Sequence, residues 1–168
     1  MNEGTMSMNE TLALYADGPR LLEAALAGLP PSGLDLAPES GGWTIRQIVH
    51  HLADGDDIWK VFIKRTIGNQ SGEFTLDWYW QFPQDDWAER WAYATREIEP
   101  SLALLHASRS HVVQLLEQVP GAWEKCLLIN WPGRYGEMVS VHWVVEMQAR
   151  HVVMHIDDIR KLRLSHGV

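Results

Sequence analysis

Three histidines in this 168-residue chain have the chemistry and the spacing to hold a metal ion. His151 and His155 stand four residues apart. On an α-helix, which turns about 100° per residue, they lie about 40° from one another on one face. Val144, Met147, Ile159 and Leu162 share or border that stripe, so the face points into the protein. His51 sits on a second helical stretch, on the side that carries Ile48, Ile58 and Phe62. Neutral imidazoles on core faces need partners, because burying a polar group without one costs roughly 2–7 kcal/mol. A His-x-x-x-His pair offers two ligands to one ion, and a facing helix supplies the third in a bundle core. The plain alternative, hydrogen-bonded histidines at the core boundary, stays open. Val152 follows His151 where zinc-protease helices carry Glu, so that chemistry is not indicated. His50, about 100° round from His51, is expected at the periphery, and His142, opposite His151, at the surface.

Three neutral imidazoles would leave a divalent ion at +2 with at least one open position, which suits catalysis better than a closed structural site. Water there has its pKa drawn from about 15.7 toward roughly 7. A thiol there is deprotonated instead. Nitrogen ligands fit Zn or Ni first, with Fe, Co and Mn also open. Asp54 lies one turn beyond His51, and Asp158 one turn beyond His155. Either carboxylate is a candidate to orient an imidazole through its second nitrogen or to act as a general base. For Asp158 the plainer alternative is solvation near a helix end. Trp78, Trp80 and Trp131 are candidates to wall a pocket over the metal, or simply to pack. Arg134 and Tyr135 are candidates to contact an anionic thiol.

Four long helices must position these groups. The first is expected over about Thr11 to Leu29, with Gly18-Pro19 kinking or restarting it. The second runs from about Thr44 to Ile67. Thr44 caps it, Gln47 completes a capping box, and Trp43 is placed to pack on Ile48. An aromatic-rich stretch from Gln70 to Asp86 reads as a long loop over the bundle, followed by a short helix to about Ile98. The third helix starts near Pro100 and ends before Pro120-Gly121. Cys126 to Gly136 reads as a small hairpin or an irregular loop. The fourth helix runs from about Val141 to Leu162 with Ser140 as its cap.

Composition narrows the classes of function. Length and a 46% hydrophobic content fit one domain over residues 1–168, with 1–8 expected as a flexible tail. The formal charge of −8, without a dense basic cluster, argues against nucleic acid as a partner. No apolar run reaches the roughly 18–20 residues of a membrane span, and the N-terminus lacks the pattern of a secretory signal. The single cysteine, Cys126, forms no internal disulfide, so the cytoplasm is the expected home. Nine tryptophans leave a homodimer open, since some could cover a second copy.

Two stretches together carry a family resemblance. Trp43-Thr44-Ile45-Arg46-Gln47-Ile48-Val49-His50-His51-Leu52-Ala53-Asp54 resembles the second-helix signature of the DinB/YfiT-like superfamily, where a ligand histidine follows the Trp by eight residues. Ala149 to Arg160, containing His151 and His155, is similar to the family's last-helix motif. The resemblance implies an all-α four-helix bundle with His51, His151 and His155 holding one divalent metal at one end. It also implies a small-molecule substrate. Family members include metal-dependent hydrolases and S-transferases that use bacillithiol or a related low-molecular-weight thiol, and mycothiol-dependent maleylpyruvate isomerase shares the fold. Thiol S-transfer is the first expectation on these grounds and metal-assisted hydrolysis the second. A metal-binding bundle without catalysis, serving a structural or interaction role, is the third.

Overall fold

The computed structural model describes residues 5–69 and 71–168. Four long helices form the frame: α1 (Met8–Leu26), α2 (Ile45–Gly68), α5 (Glu99–Gln118) and α6 (Val141–His166). Helix α1 packs on α5 and α6, and α2 packs on the same two, which closes a four-helix bundle. Side chains at the ends explain where the helices begin. Ser7 and Glu10 form a capping box ahead of α1, and Thr44 and Gln47 form another ahead of α2. Ser140 accepts from the Trp143 amide at the start of α6, while Gly167 at φ 71° ends that helix. Of the stretch expected as a tail, Met6 donates its amide to Glu146 and Ser7 caps α1, while residues 1–4 lie outside the described residues.

The aromatic stretch is more structured than a loop. After Gln70, which lies outside the described residues, come a two-residue strand β1 (Glu73–Phe74) and two short helices, α3 (Asp77–Trp80) and α4 (Gln84–Arg90). The hairpin expected before the last helix is present, as β2 (Cys126–Trp131) and β3 (Arg134–Ser140) paired antiparallel. Strand β1 joins β2 in parallel, a pairing that two residues give no periodicity to announce. Leu127 and Ile129 alternate inward from β2 and, with Phe74, seat this small sheet on one end of the bundle.

Helix α1 is continuous through Gly18-Pro19, so of the two expected outcomes the restart does not occur. Proline has no N–H for the carbonyl four residues back, here that of Tyr15. Arg109 Nη1 donates to that carbonyl at 3.0 Å and replaces the missing helical bond. Gly18 makes room, since a Cβ there would stand 2.1 Å from Arg109 Nη1. The guanidinium also donates to both Asp56 carboxylate oxygens, at 2.7 and 3.0 Å, and to the Gln148 carbonyl at 2.8 Å. One buried side chain thus ties α5 to α1, α2 and α6. It stands between two apolar clusters, one beneath the sheet around Phe62, Val112 and Val144, the other around Leu22, Leu52, Leu105 and Ile159.

Candidate metal centre

His51 on α2 and His151 and His155 on α6 meet in the bundle. His151 Nε2 lies 3.0 Å from His51 Nε2 and 3.1 Å from His155 Nε2. One nitrogen from each ring falls within 4.8 Å of the other two. The facing helices bring this about: α2 packs on α6, and each histidine occupies the inward face that its neighbours Ile48, Phe62, Val152 and Ile159 define. Trp43 sits over the group, its ring 4.5 Å from that of His51 and 6.4 Å from that of His155. Its indole N–H donates to Asp85 at 2.5 Å, which draws the start of α4 across this end of the bundle.

The three rings are neutral in the fold. Burial, followed by the nearness of the other two imidazoles, pushes His51 down to about 2. Burial and then His155 push His151 down to about 4. Burial also lowers His155, although the Asp158 carboxylate works against it. A neutral imidazole nitrogen either donates or accepts. A single proton could serve the three Nε2 atoms only as a forked hydrogen bond, whereas a cation gives each lone pair a bond of its own. The spacings of the two pairs that include His151 agree with that second arrangement, and His51 and His155 offer nitrogens within 4.8 Å of each other. Two nitrogens at about 2.0–2.1 Å from a shared ion stand about 2.9 Å apart at a right angle and about 3.3 Å apart in a tetrahedron. The outward nitrogen of His155, Nδ1, is buried without a hydrogen-bond partner, and Asp158 Oδ2 stands 3.3 Å away. With Nε2 occupied by a metal, Nδ1 carries the proton and faces that carboxylate, the usual outer-shell pairing for a ligand histidine. The residues therefore fit a divalent cation.

The other sequence candidates divide. Asp54 turns away from the imidazoles: it ion-pairs with Arg96 at 3.7 Å and hydrogen-bonds the Tyr93 hydroxyl, whose pKa rises through burial and through that contact. Asp158, the weaker candidate from sequence, is the carboxylate beside a histidine. Trp80 and Trp131 pack together near the site, with ring centroids 5.5 Å apart, whereas Trp78 is half exposed and packs on Trp87 instead. Arg134 pairs with Glu137 on the hairpin and is largely exposed. The Tyr135 side chain lies outside the described residues.

Two histidine expectations are corrected. His50 is fully buried rather than peripheral: it contacts the Arg96 carbonyl through Nε2 at 3.2 Å and Ser101 Oγ through Nδ1 at 2.8 Å. A carbonyl only accepts, so Nε2 carries the proton and the serine hydroxyl donates to Nδ1. His142 is half-buried, not a surface residue, with Nε2 3.2 Å from Thr11 Oγ1 and its ring edge-on to Trp123. In both cases packing from α5 or α1 covers a face that one helix alone leaves open.

Cavities flank the centre. His155 lines an outer cavity of about 1040 Å³ whose walls include Trp43, Gln84, Asp85, Asp158 and Lys161. His51 and His151 line an inner one of about 260 Å³ with Trp59, Tyr79, Trp80 and Trp131. Gln84 borders both. Sequence reading passed over Gln84, Gly55, Arg109 and Asp56. The last two did leave a signal, charged side chains in otherwise apolar stripes.

A four-helix bundle with a cluster of three histidines facing its interior defines the class. The DinB superfamily model matches residues 14–159, and the chain belongs to that superfamily. A Geobacillus thermodenitrificans protein provisionally named a metal-dependent hydrolase is 28% identical over 160 residues, spanning 95% of this chain and 86% of its own. Among solved structures, YfiT from Bacillus subtilis, described as a provisionally assigned metal-dependent hydrolase of unusual four-helix topology, aligns with a TM-score of 0.83. That alignment covers 99% of this chain and 93% of YfiT at 22% identity. The mycothiol-dependent maleylpyruvate isomerase aligns with a TM-score of 0.67 at 16% identity, over 92% of this chain and 61% of its own. At these identities both structures speak for the fold. Among the described residues no helix is long and apolar enough to cross a membrane.

Proposed function

We propose that this chain is a metal-dependent enzyme in which His51, His151 and His155 hold one divalent cation through their Nε2 atoms. The observation that carries the reading is the convergence of three neutral imidazole nitrogens, two of the pairs at 3.0 and 3.1 Å. A cation bound there acts as a Lewis acid and lowers the pKa of a water or thiol presented to it. The protein contributes the rest. Burial keeps the imidazoles unprotonated, so their lone pairs stay available. Asp158 orients His155 through Nδ1, and Trp43 covers the rings and limits water at this end of the bundle.

Thiol S-transfer is the reaction we favour. Cavities on both sides of the histidines give room for two organic reactants, which transfer needs and hydrolysis does not. In that reaction the thiol loses its proton, its sulfur bonds to an electrophilic carbon, and the leaving group departs. Hydrolysis is the second reading, favoured by the provisional name of the Geobacillus relative. The same proposal has the protein acting on small molecules in the cytoplasm as a homodimer, with half-exposed Trp78 and Trp143 as surface for a second copy. Light scattering checks the dimer.

Metal analysis of freshly purified protein beside a His51→Ala variant tests the centre. Stoichiometric Zn, Ni, Fe, Co or Mn in the wild type and its loss in the variant are expected. Retention by the variant refutes the ligand set. Turnover of cysteine with 1-chloro-2,4-dinitrobenzene, against turnover of 4-nitrophenyl acetate, separates transfer from hydrolysis. Activity with neither, in fully metallated protein, favours a non-catalytic bundle.

A further inference from the structure

We propose that the inner cavity is a binding subsite for a small, uncharged aromatic group carrying one hydrogen-bond acceptor, and that Gly55 keeps it open. The proposal extends the enzyme reading above by assigning a substrate class to the side of the centre that His51 and His151 face.

Size and lining set the class. At about 260 Å³ the cavity is larger than the roughly 150 Å³ that holds a benzene in an engineered protein core, and so has room for one substituted ring. Ile58, Leu76, Trp59, Tyr79, Trp80 and Trp131 supply apolar and aromatic walls, and no Asp, Glu, Lys or Arg lines it. Of the lining residues only Gln84 is exposed, so the mouth lies beside Gln84, which also borders the outer cavity. Away from His51 and His151, a charged group would lose its hydration there without a counter-charge.

Two further observations point to an occupant. The Gln148 amide, oriented so that its nitrogen donates to Asp56 at 2.8 Å, accepts the Trp59 indole N–H at 3.2 Å. That leaves Trp131, which lines this cavity and a neighbouring one beside Asn130, and whose indole N–H is buried with no partner among the described residues. A buried donor is rarely left unmatched, and a carbonyl, ether or nitro oxygen on a ligand is the acceptor it lacks. Gly55 stands in the middle of α2, where glycine is a poor choice, and a Cβ built on it meets nothing within 4 Å. Neither close packing nor a left-handed backbone requires glycine at this position. Its effect is to leave the cavity wall without a side chain.

Fluorine NMR titration of the full chain, with and without bound zinc, tests this. The probes are 4-fluoroacetophenone, which has an acceptor, and 1-ethyl-4-fluorobenzene, which has none. Saturable binding of both to the metal-free wild type is expected. Gly55→Ala should raise the thermal midpoint by a few degrees, and Gly55→Leu should weaken both probes at least tenfold in a folded protein. Trp131→Phe should weaken the ketone about fivefold and leave the hydrocarbon unchanged. Ser165→Trp, which places an indole on the wall of the outer cavity, should alter neither. Absence of saturable binding, or binding undiminished in Gly55→Leu, overturns the subsite. Equal loss of both probes in Trp131→Phe overturns the acceptor role. Zinc uptake, measured on a separate zinc-treated sample of each protein, keeps the two proposals apart. Probe binding by a protein that takes up no stoichiometric zinc sinks the enzyme reading alone, and stoichiometric uptake without probe binding sinks the subsite alone.

Discussion

Arg109 Nη1 takes the Tyr15 carbonyl at 3.0 Å, the acceptor that Pro19 leaves without a helical donor. The guanidinium lies over the Tyr15 ring, 4.3 Å from its centroid, and is neutralised by Asp56. An adjacent glycine and proline and an arginine far along the chain thus act as one device.

Removing either charge from this device should be costly. Arg109→Leu leaves Asp56 buried and unpaired, with an expected loss of about 3–5 kcal/mol. The double variant with Asp56→Leu should recover part of that loss. Gly18→Ala, which drives a methyl into Arg109, should cost about 2–3 kcal/mol. Urea denaturation and a double-mutant cycle measure these effects, and additive single and double losses would show the pair uncoupled.

Carboxylates beside the centre should differ in effect. Asp158→Asn is expected to weaken metal binding by about 10–100-fold through His155. Asp54→Asn should leave metal affinity unchanged, because that side chain bonds Tyr93 and Arg96. Competition with a chromophoric chelator reads both.

Acid should destabilise the metal-free protein in a defined window. His51 and His151 are pushed down to about 2 and about 4 in the fold, against about 6.5 unfolded. Between about pH 6.5 and pH 4 the unfolded chain therefore binds protons that the native state refuses. Stability falls as pH drops through that range, by as much as about 1.4 kcal/mol per pH unit for each histidine. Above about pH 7 these groups contribute no slope. Chelator-treated protein unfolded in urea at pH 7.5 and pH 5.0 checks this, and His51→Gln should flatten the difference.

Helix capping offers a prediction away from the chemistry. Thr44→Ala removes the side chain that accepts from the Gln47 amide at 3.2 Å, with an expected cost of about 1 kcal/mol. Thermal unfolding reads it. Metal content should stay intact, since His51 lies almost two turns further into α2.

Much of this protein was legible in its residues. Helical periodicity put His51, His151 and His155 on inward faces, and Ser140, Thr44 and Gln47 marked helix starts within a residue or two. Those are local properties, set by about 100° of turn per residue and by orphan N–H groups at helix ends. Tertiary packing decided the rest. Whether a face is covered depends on a neighbour: α5 buries His50 through Ser101, and α1 reaches His142 through Thr11. Which aspartate serves a histidine depends on side-chain direction, which favours Asp158 over Asp54. The continuity of α1 through Pro19 depends on a guanidinium from another helix. The two cavities exist only between elements. A pattern along one chain carries the direction of each side chain about its own helix, and the distance between helices enters only when they pack.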